Sequence, residues 1–503
     1  MKHTARLITL LLALSLMLTA MACGNSGKTD ATEGDVTTTA APAGEAATTT
    51  APAAETENPY DENGYLKSDL PEDLNFNGET VTVLYWDDVE HPEFESEGIT
   101  GDIVNDAIYN RNVHVEEKLG VTLGFVHTKG NGSNIAAFKN FVGNAFAAGE
   151  SEYDLIASYS RTTAACAQAG YCLDLLELDY LNFENPWWPS SLIDIVGIGD
   201  SMYFASGDAS VNVLHMMYCT LYNKDLITEY NLQDPVELVR SGKWTIEAMK
   251  TMSKDLYQDL DNDNKKSAGD FFGTTVGSYH IDALYTGSGL RLVEQGEGDT
   301  LLVVSQDFFS EKAIALCDNL GEWLATNDVY DSTSTAAFTA GNCIFDINRC
   351  RTAASLQDVD WSYGVLPVPK YDEEQENYIS VMGNPFTLYA VYANTKDANR
   401  SAAVLECWAA EAYRTTTPAQ FETTMKLKYS ESDVEAEMFD IIRSTVCFDM
   451  GRLFNPDLAN ITDIFFAAAD NGNSWATISK GYSKSLPKLM AKISNAFLAQ
   501  QQQ

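Results

Sequence analysis

Val81, Val83 and Tyr85 alternate with Thr82 and Leu84, a period of two that predicts a strand closing at Trp86-Asp87-Asp88. After a turn-rich stretch, Val104, Ile108, Val115 and Leu119 recur at helical spacing, and Gly120 stands where such a helix would stop. Val121, Leu123 and Phe125 then place one side of a second strand toward the core. Ile135, Phe138, Phe141, Val142, Ala145 and Phe146 outline a second helix that ends near Gly149, and the apolar run from Tyr153 to Ser158 reads as a buried strand. Strand and helix alternate, so the fold class is α/β with a parallel sheet, and ligands of such sheets gather outside the carboxyl ends of the strands.

Ahead of this patterned region lie two segments of different character. A basic start (Lys2, Arg6) precedes an apolar run from Leu7 to Leu18 and then Ala20-Met21-Ala22-Cys23. The run is shorter than the roughly 20 apolar residues a spanning helix needs, so residues 1–22 read as an export signal. It resembles a bacterial lipoprotein signal, with Ala20 where that motif usually has leucine. The resemblance implies a lipid on Cys23 and an extracytoplasmic chain anchored to the cell membrane; ordinary cleavage after Ala20-x-Ala22 is the competing reading. Residues 24–58 are dominated by Thr, Ala, Gly, Glu, Asp, Pro and Ser and cannot bury enough apolar surface to offset ordering entropy. Residues 23–69 are therefore expected to be a lipidated cysteine followed by a flexible linker.

About 430 residues remain, too many for one core, so two lobes are expected. The net charge of −40 excludes nucleic acid as a partner and weighs against polyanionic lipid and anionic polysaccharide. Beyond Cys23 there are eight cysteines, most inside apolar runs such as Met216-Met217-Tyr218-Cys219, where a thiol acts as a small buried hydrophobe. Mostly free thiols are expected in preference to a disulfide framework. No Cys-x-x-Cys occurs and the six histidines are scattered, which disfavours zinc.

Several segments carry a resemblance in their order: Tyr153-Asp154-Leu155-Ile156, then Ala169-Gly170, Leu173-Asp174-Leu175, Met202-Tyr203-Phe204, and Leu221-Tyr222-Asn223-Lys224-Asp225-Leu226. Gly242-Lys243-Trp244-Thr245, Phe338-Thr339-Ala340-Gly341-Asn342-Cys343, Tyr363-Gly364-Val365-Leu366-Pro367-Val368-Pro369 and the strand-like Val381 to Ala393 continue it. Together they resemble the family-1 extracellular solute-binding lipoproteins of bacterial ABC importers, the type that serves sugars and oligosaccharides. That resemblance implies a two-lobe periplasmic-binding-protein-like fold of type II, with discontinuous lobes joined by a hinge. The expected split is 70–208 plus 379–445 for lobe 1 and 209–378 plus 446–503 for lobe 2. It implies a monomer that binds a small polar solute, most often a carbohydrate, and passes it to permease subunits without turnover. Two of the segments also have local readings: Asn223 and Thr245 suit the first position of a helix, where exposed backbone amides need a cap.

The resemblance further implies a cleft that closes on its solute by hinge motion. Aromatic faces grip sugars there while carboxylates, amides and arginines satisfy hydroxyls, and the chain supplies 8 Trp, 24 Tyr and 22 Phe. The strand-end rule selects Trp86, Asp87, Tyr159, Ser160 and Arg161 in the first lobe. Asp208 and Asn384 stand at the crossings, Asn348 and Arg349 follow a strand expected over Cys343 to Ile347, and Tyr279 is offered by the second lobe. Trp187-Trp188, between two prolines, reads as packing beneath a loop, and Trp361 as support for the Tyr363-Gly364 strand.

One motif stands apart from the cleft. Asp259-x-Asp261-x-Asp263-x-Lys265 leading to Asp270 puts carboxylates at loop positions one, three, five and twelve and a backbone carbonyl at seven, a donor set that suits calcium in a structural role. Asn264 replaces the turn glycine, and Asp270 is shorter than the usual final Glu; an acidic solvated turn is the plain alternative. No catalytic cofactor is implied, because no Gly-x-Ser-x-Gly elbow, phosphate loop or dinucleotide fingerprint occurs. The runners-up are an exported lipoprotein glycoside hydrolase and a peptide-binding protein; an adhesin would need repeats, and none is found.

Overall fold

In the computed structural model, the described residues are 58–501 apart from 90, 299, 357 and 422–432. Residues 1–22, Cys23 and the linker through residue 57 lie outside them. Residues 59–501 belong to one compact unit. Its first turns were expected to be linker, yet Asp61 accepts amides from Asn63 and Tyr65, and Tyr65 packs edge-on against Tyr413 at 5.5 Å. Two tyrosines and Leu66 within this polar stretch supply its apolar contact.

The first sheet contains β1 (Glu79–Trp86), β2 (Val121–Thr128), β3 (Leu155–Tyr159) and, from far along the chain, β12 (Thr387–Val391), in the order β12-β3-β1-β2. β1 runs parallel to β2 and β3, and β12 is antiparallel to β3 with Tyr159 opposite Thr387. Helices α1 (Ile103–Leu119), α2 (Ile135–Ala147) and α3 (Ser160–Gln168) follow the first three strands. Asp102 caps α1 by accepting the amides of Val104 and Asn105, and Gly120 ends it at φ 57°, a left-handed conformation that glycine adopts without the Cβ penalty.

The second sheet has the order β10-β4-β9-β5-β8, built from β4 (Tyr218–Asn223), β5 (Phe272–Val276), β8 (Val329–Asp331), β9 (Cys343–Arg349) and β10 (Tyr363–Leu366). Small pairs β6 (Val293–Gln295) with β7 (Leu302–Val304), and β11 (Ser380–Val381) with β13 (Val446–Cys447), lie outside it. Asn223 accepts the Leu226 amide and Thr245 that of Ala248, so both cap helices as their residue types suggest; Thr245 opens α4 (Ile246–Met252). α5 (Ile281–Gly287), α6 (Glu311–Leu324), α7 (Ala398–Arg414), α8 (Ile461–Asp470) and α9 (Ser485–Gln501) complete the layers. α7 packs on α1, α8 on α6, and α9 on β7. Among the described residues no helix is long and apolar enough to cross a membrane.

Two expectations need correction. The strand expected over Cys343 to Ile347 continues to Arg349, because β4 offers pairing partners down to Tyr218, which faces Arg349. The strand-like Val381 to Ala393 is interrupted at Gly383-Asn384-Pro385: it crosses from one sheet to the other before β12 begins. The eight described cysteines are buried free thiols, and Trp361 packs against Phe338 and Tyr363.

A buried carboxylate organises the region beneath residues 182–188. Glu406 on α7 is fully buried and accepts the indole N–H groups of Trp187 (2.9 Å) and Trp188 (2.8 Å) and the Asn185 amide (2.9 Å). Burial raises its pKa, and these donors pull it back. Glu406→Ala strands two indole donors and leaves a cavity, so urea unfolding should show a loss of roughly 3 kcal/mol; a loss within 0.5 kcal/mol, on the order of a surface substitution, would refute the role given to this carboxylate.

Candidate functional site

Strand ends of the two sheets meet where the chain crosses between them. Ala205 bridges Tyr389 of the first sheet, the short helix Val211–Met216 follows, and Tyr218 opens β4 in the second. The return passes through Gly383, whose amide donates to the Met216 carbonyl (2.7 Å), while Met382 donates to Cys447 (2.9 Å). A Cβ at Gly383 would stand 2.9 Å from the Arg349 Cδ, so a larger residue there would displace the Arg349 side chain.

On the first-sheet side, Trp86 is 1% exposed; its indole N–H donates to Thr387 Oγ1 (2.9 Å) and its ring lies 5.6 Å from Tyr159. Asp87 stands on the exposed rim against His127 Nδ1 at 2.9 Å. The neighbouring Asp88 accepts the amides of Gly130 and Asn131, and Thr162 Oγ1 donates to the Gly130 carbonyl, so the loop after β2 is held over the end of β3. Ser160 is buried: its hydroxyl donates to the Asn384 carbonyl (2.7 Å) and its amide to Phe386 (2.9 Å), tying α3 to the crossing segment. Arg161, half-buried, donates through Nε to the Arg452 carbonyl at 2.8 Å.

On the second-sheet side, the Arg349 guanidinium reaches Met216 Sδ (3.5 Å) and lies 5.6 Å from the Tyr279 ring, which is 41% exposed. Tyr218 Oη donates to the Tyr279 carbonyl at 3.5 Å. His280 is buried edge-on between Tyr218 and Tyr279 with neither ring nitrogen hydrogen-bonded, and burial followed by the Arg349 charge holds its pKa down to about 3. Arg452 pairs with Asp282 at 2.9 Å; burial lifts Asp282 to about 6, with Arg452 the main counterweight. Burial also raises the Tyr159 phenol, which lies in the field of Arg161, Arg452 and Arg349.

The structure thus brings Trp86, Tyr159, Ser160, Arg161, Tyr279, Arg349 and Asn384 to one meeting of strand ends. Two selected residues point elsewhere. Asn348 is buried and donates to Asp346 Oδ2 (3.3 Å) within β9. Asp208 accepts from Thr417 (2.7 Å) and Arg443 (3.1 Å) beside a cavity of about 410 Å³ lined by Pro186, Pro189 and Tyr413. Sequence reasoning missed Tyr218, His280, Asp282 and Arg452. Tyr218 opens a strand rather than ending it, so the strand-end rule passes over it until the antiparallel pairing with β9 is known.

In the acidic loop, carboxylate oxygens of Asp259, Asp261 and Asp263 lie within 4.8 Å of one another. Asn262 and Asn264 both take positive φ, so the replacement of the turn glycine by Asn264 is accommodated. Asp261 accepts the Asp263 amide, which lowers its pKa, but desolvation and the carboxylates of Asp263, Asp270 and Asp259 outweigh this and leave it raised. Asp270 stands outside the three-carboxylate group: it is fully buried and accepts the amides of Leu260 and Ser267, closing the loop onto β5. The donor set fits a hard cation through three carboxylates, with the twelfth position given over to loop closure.

No family profile matches the sequence, and no curated protein does. Solved structures do match in fold. The maltose-binding periplasmic protein MalE of Listeria monocytogenes, in complex with maltose, superposes with a TM-score of 0.52 at 14% identity over 84% of this chain and 99% of its own. The galacto-N-biose/lacto-N-biose I-binding protein of a Bifidobacterium longum ABC transporter, in complex with lacto-N-biose, gives 0.52 at 13% identity over 85% and 98%. A cyclo/maltodextrin-binding protein complexed with maltotetraose gives 0.51 at 13% over 85% and 98%.

Asp346, central in β9, reports on the site's electrostatics: burial pushes its carboxyl up to about 7, against hydrogen bonds from Thr275 (2.7 Å) and Asn348. A carboxyl whose pKa rises from 3.8 binds more protons folded than unfolded, so this contribution is complete below about 4 and is lost as pH climbs through about 7. Urea unfolding of the native chain should therefore lose on the order of 2–4 kcal/mol between pH 4.5 and 7.5 relative to Asp346→Asn, and parallel pH profiles would contradict the assignment. The order and pairing of the strands, the crossing segments and the structural matches together show that this chain has the two-lobed fold of the ABC solute-binding proteins.

Proposed function

We propose that this protein captures a sugar or oligosaccharide between its two sheets and delivers it to ABC permease subunits, by binding and lobe closure without turnover. The observation that carries the reading is the convergence, at the crossing, of aromatic rings and guanidinium groups contributed by both sheets: Tyr159 and Arg161 from one, Tyr218, Tyr279 and Arg349 from the other. Flat rings stack on the apolar C–H faces of sugars, and guanidinium N–H groups donate to hydroxyl oxygens. That proteins of the same fold were solved with maltose, maltotetraose and lacto-N-biose supports the ligand class. A lipid on Cys23 would hold the chain outside the membrane through its polar linker, as a monomer beside its permease.

We further propose a structural calcium ion held by Asp259, Asp261 and Asp263, with the Lys265 carbonyl as a fourth donor and Asp270 bracing the loop.

A thermal-shift screen of the full-length chain against mono- and oligosaccharides and peptides, with recovered solutes checked for cleavage, tests the function. A shift with an intact sugar is expected; cleavage would establish a hydrolase, and a response to peptides alone would move the ligand class. With the sugar so found, Tyr159→Ala and Tyr279→Ala should each weaken binding about tenfold by calorimetry, and unchanged affinity in both would place the ligand elsewhere. For the metal, calcium should raise the melting temperature by a few degrees in the native chain and not in Asp261→Ala; equal responses would remove the ion.

A further inference from the structure

Acidic residues outnumber lysine and arginine by 72 to 32 in this chain, so a buried arginine has abundant carboxylates to pair with. Arg349 has none. It is 6% exposed, its guanidinium touches the Met216 sulfur and the Tyr279 face, and its Nε is buried without a hydrogen-bond acceptor. Arg161 is in the same position: its Nε is satisfied by the Arg452 backbone carbonyl, and no carboxylate among the described residues comes within ion-pair distance. Arg452 is the third guanidinium in the group, and Asp282 is committed to it.

The other acidic groups near the site are spoken for or exposed. Asp88 is occupied by the Gly130 and Asn131 amides, Asp87 faces His127 on the rim, and Asp463, whose field reaches Arg161, is exposed to water at the start of α8. His280, beside Arg349, carries no charge at neutral pH and adds no compensating acid. The meeting of strand ends is therefore locally cationic in an anionic protein. Burial of an unpaired guanidinium is costly unless an anion arrives to pair with it.

We propose that the cleft is built for a saccharide bearing an anionic group, a uronic-acid carboxylate being the best geometric match, with Arg349 and Arg161 as the receiving residues. The inference rests on the sugar-binding reading above and names the class of sugar. A planar carboxylate accepts two parallel N–H bonds from one guanidinium, which neutral hydroxyls cannot match. The Tyr279 ring lies 5.6 Å from the Arg349 guanidinium and Tyr159 lies in the field of both arginines, and these rings would take the sugar's apolar face. The chain-wide negative charge does not oppose this at contact range, since a Debye length of about 8 Å at physiological salt screens distant surface carboxylates.

Calorimetry on the full-length chain with digalacturonate, its neutral counterpart digalactose, galactose 6-sulfate and galactose 6-phosphate tests the proposal. Digalacturonate should bind at least about tenfold tighter than digalactose. Arg349→Gln should weaken digalacturonate by at least about tenfold more than it weakens digalactose, and Arg349→Lys should restore part of the preference. Because Arg349 packs against Gly383 and its loss could unfold the chain, Arg161→Gln is the second variant, with the same loss of preference expected and its melting curve as a control. Preference for the sulfate or phosphate over the uronate would keep the anionic-sugar assignment and change the group. Equal or tighter binding of digalactose, unaffected by either substitution, would overturn this inference and leave the sugar-binding reading standing. Failure of every saccharide to bind would overturn both.

Discussion

The structure depends on the hydrogen bonds that tie the crossing segments together. Gly383 to Met216, Met382 to Cys447 and the Ser160 hydroxyl to Asn384 gather the crossing segments in one short region. These bonds fix how the two sheets approach one another within one continuous apolar core. With them, the ends of β1, β3 and β9 and the start of β4 are held facing one another, and side chains that leave those ends have a common place to go.

Polar groups are buried in this fold chiefly where they fasten one element to another. Glu406 fastens residues 182–188 to α7, Arg111 lies 4.5 Å from the Trp408 ring while donating to the Glu93 and Phe94 carbonyls, and Asp154 accepts the Thr82 amide and the Thr395 hydroxyl. Most polar atoms of these groups find partners within the protein, as buried polar atoms ordinarily do. Arg349 and Arg161 differ from these, because neither has a carboxylate among the described residues within ion-pair distance.

Much of the architecture could be read from periodicity. The strand at 79–86, the helices at 103–119 and 135–147, and the buried run ending at Tyr159 all follow from spacing that a single element can satisfy by itself. So do the caps at Asn223 and Thr245, since a side chain two or three residues from an exposed amide is a local matter. The segment order was enough to anticipate the two-lobed fold. Of the candidate site, Tyr159, Arg161 and Arg349 were selected by the rule that ligands gather at strand ends, which is also a consequence of local order, and Tyr279 was offered from the second lobe.

What the sequence by itself determined is therefore the set of elements, their alternation and the residues at their ends, because hydrophobic period and capping act over a few residues. The tertiary structure alone decided which ends face one another. Tyr218 joined the site because β4 runs antiparallel to β9, Arg452 because its segment returns beside α3, and Asp208 departed from it because Thr417 and Arg443 claim its carboxylate. The same holds for charge. Composition registers only the sum over the chain, whereas the sign of the field in a recess depends on which carboxylates have been drawn into pairs at a distance in sequence, and that is settled by packing.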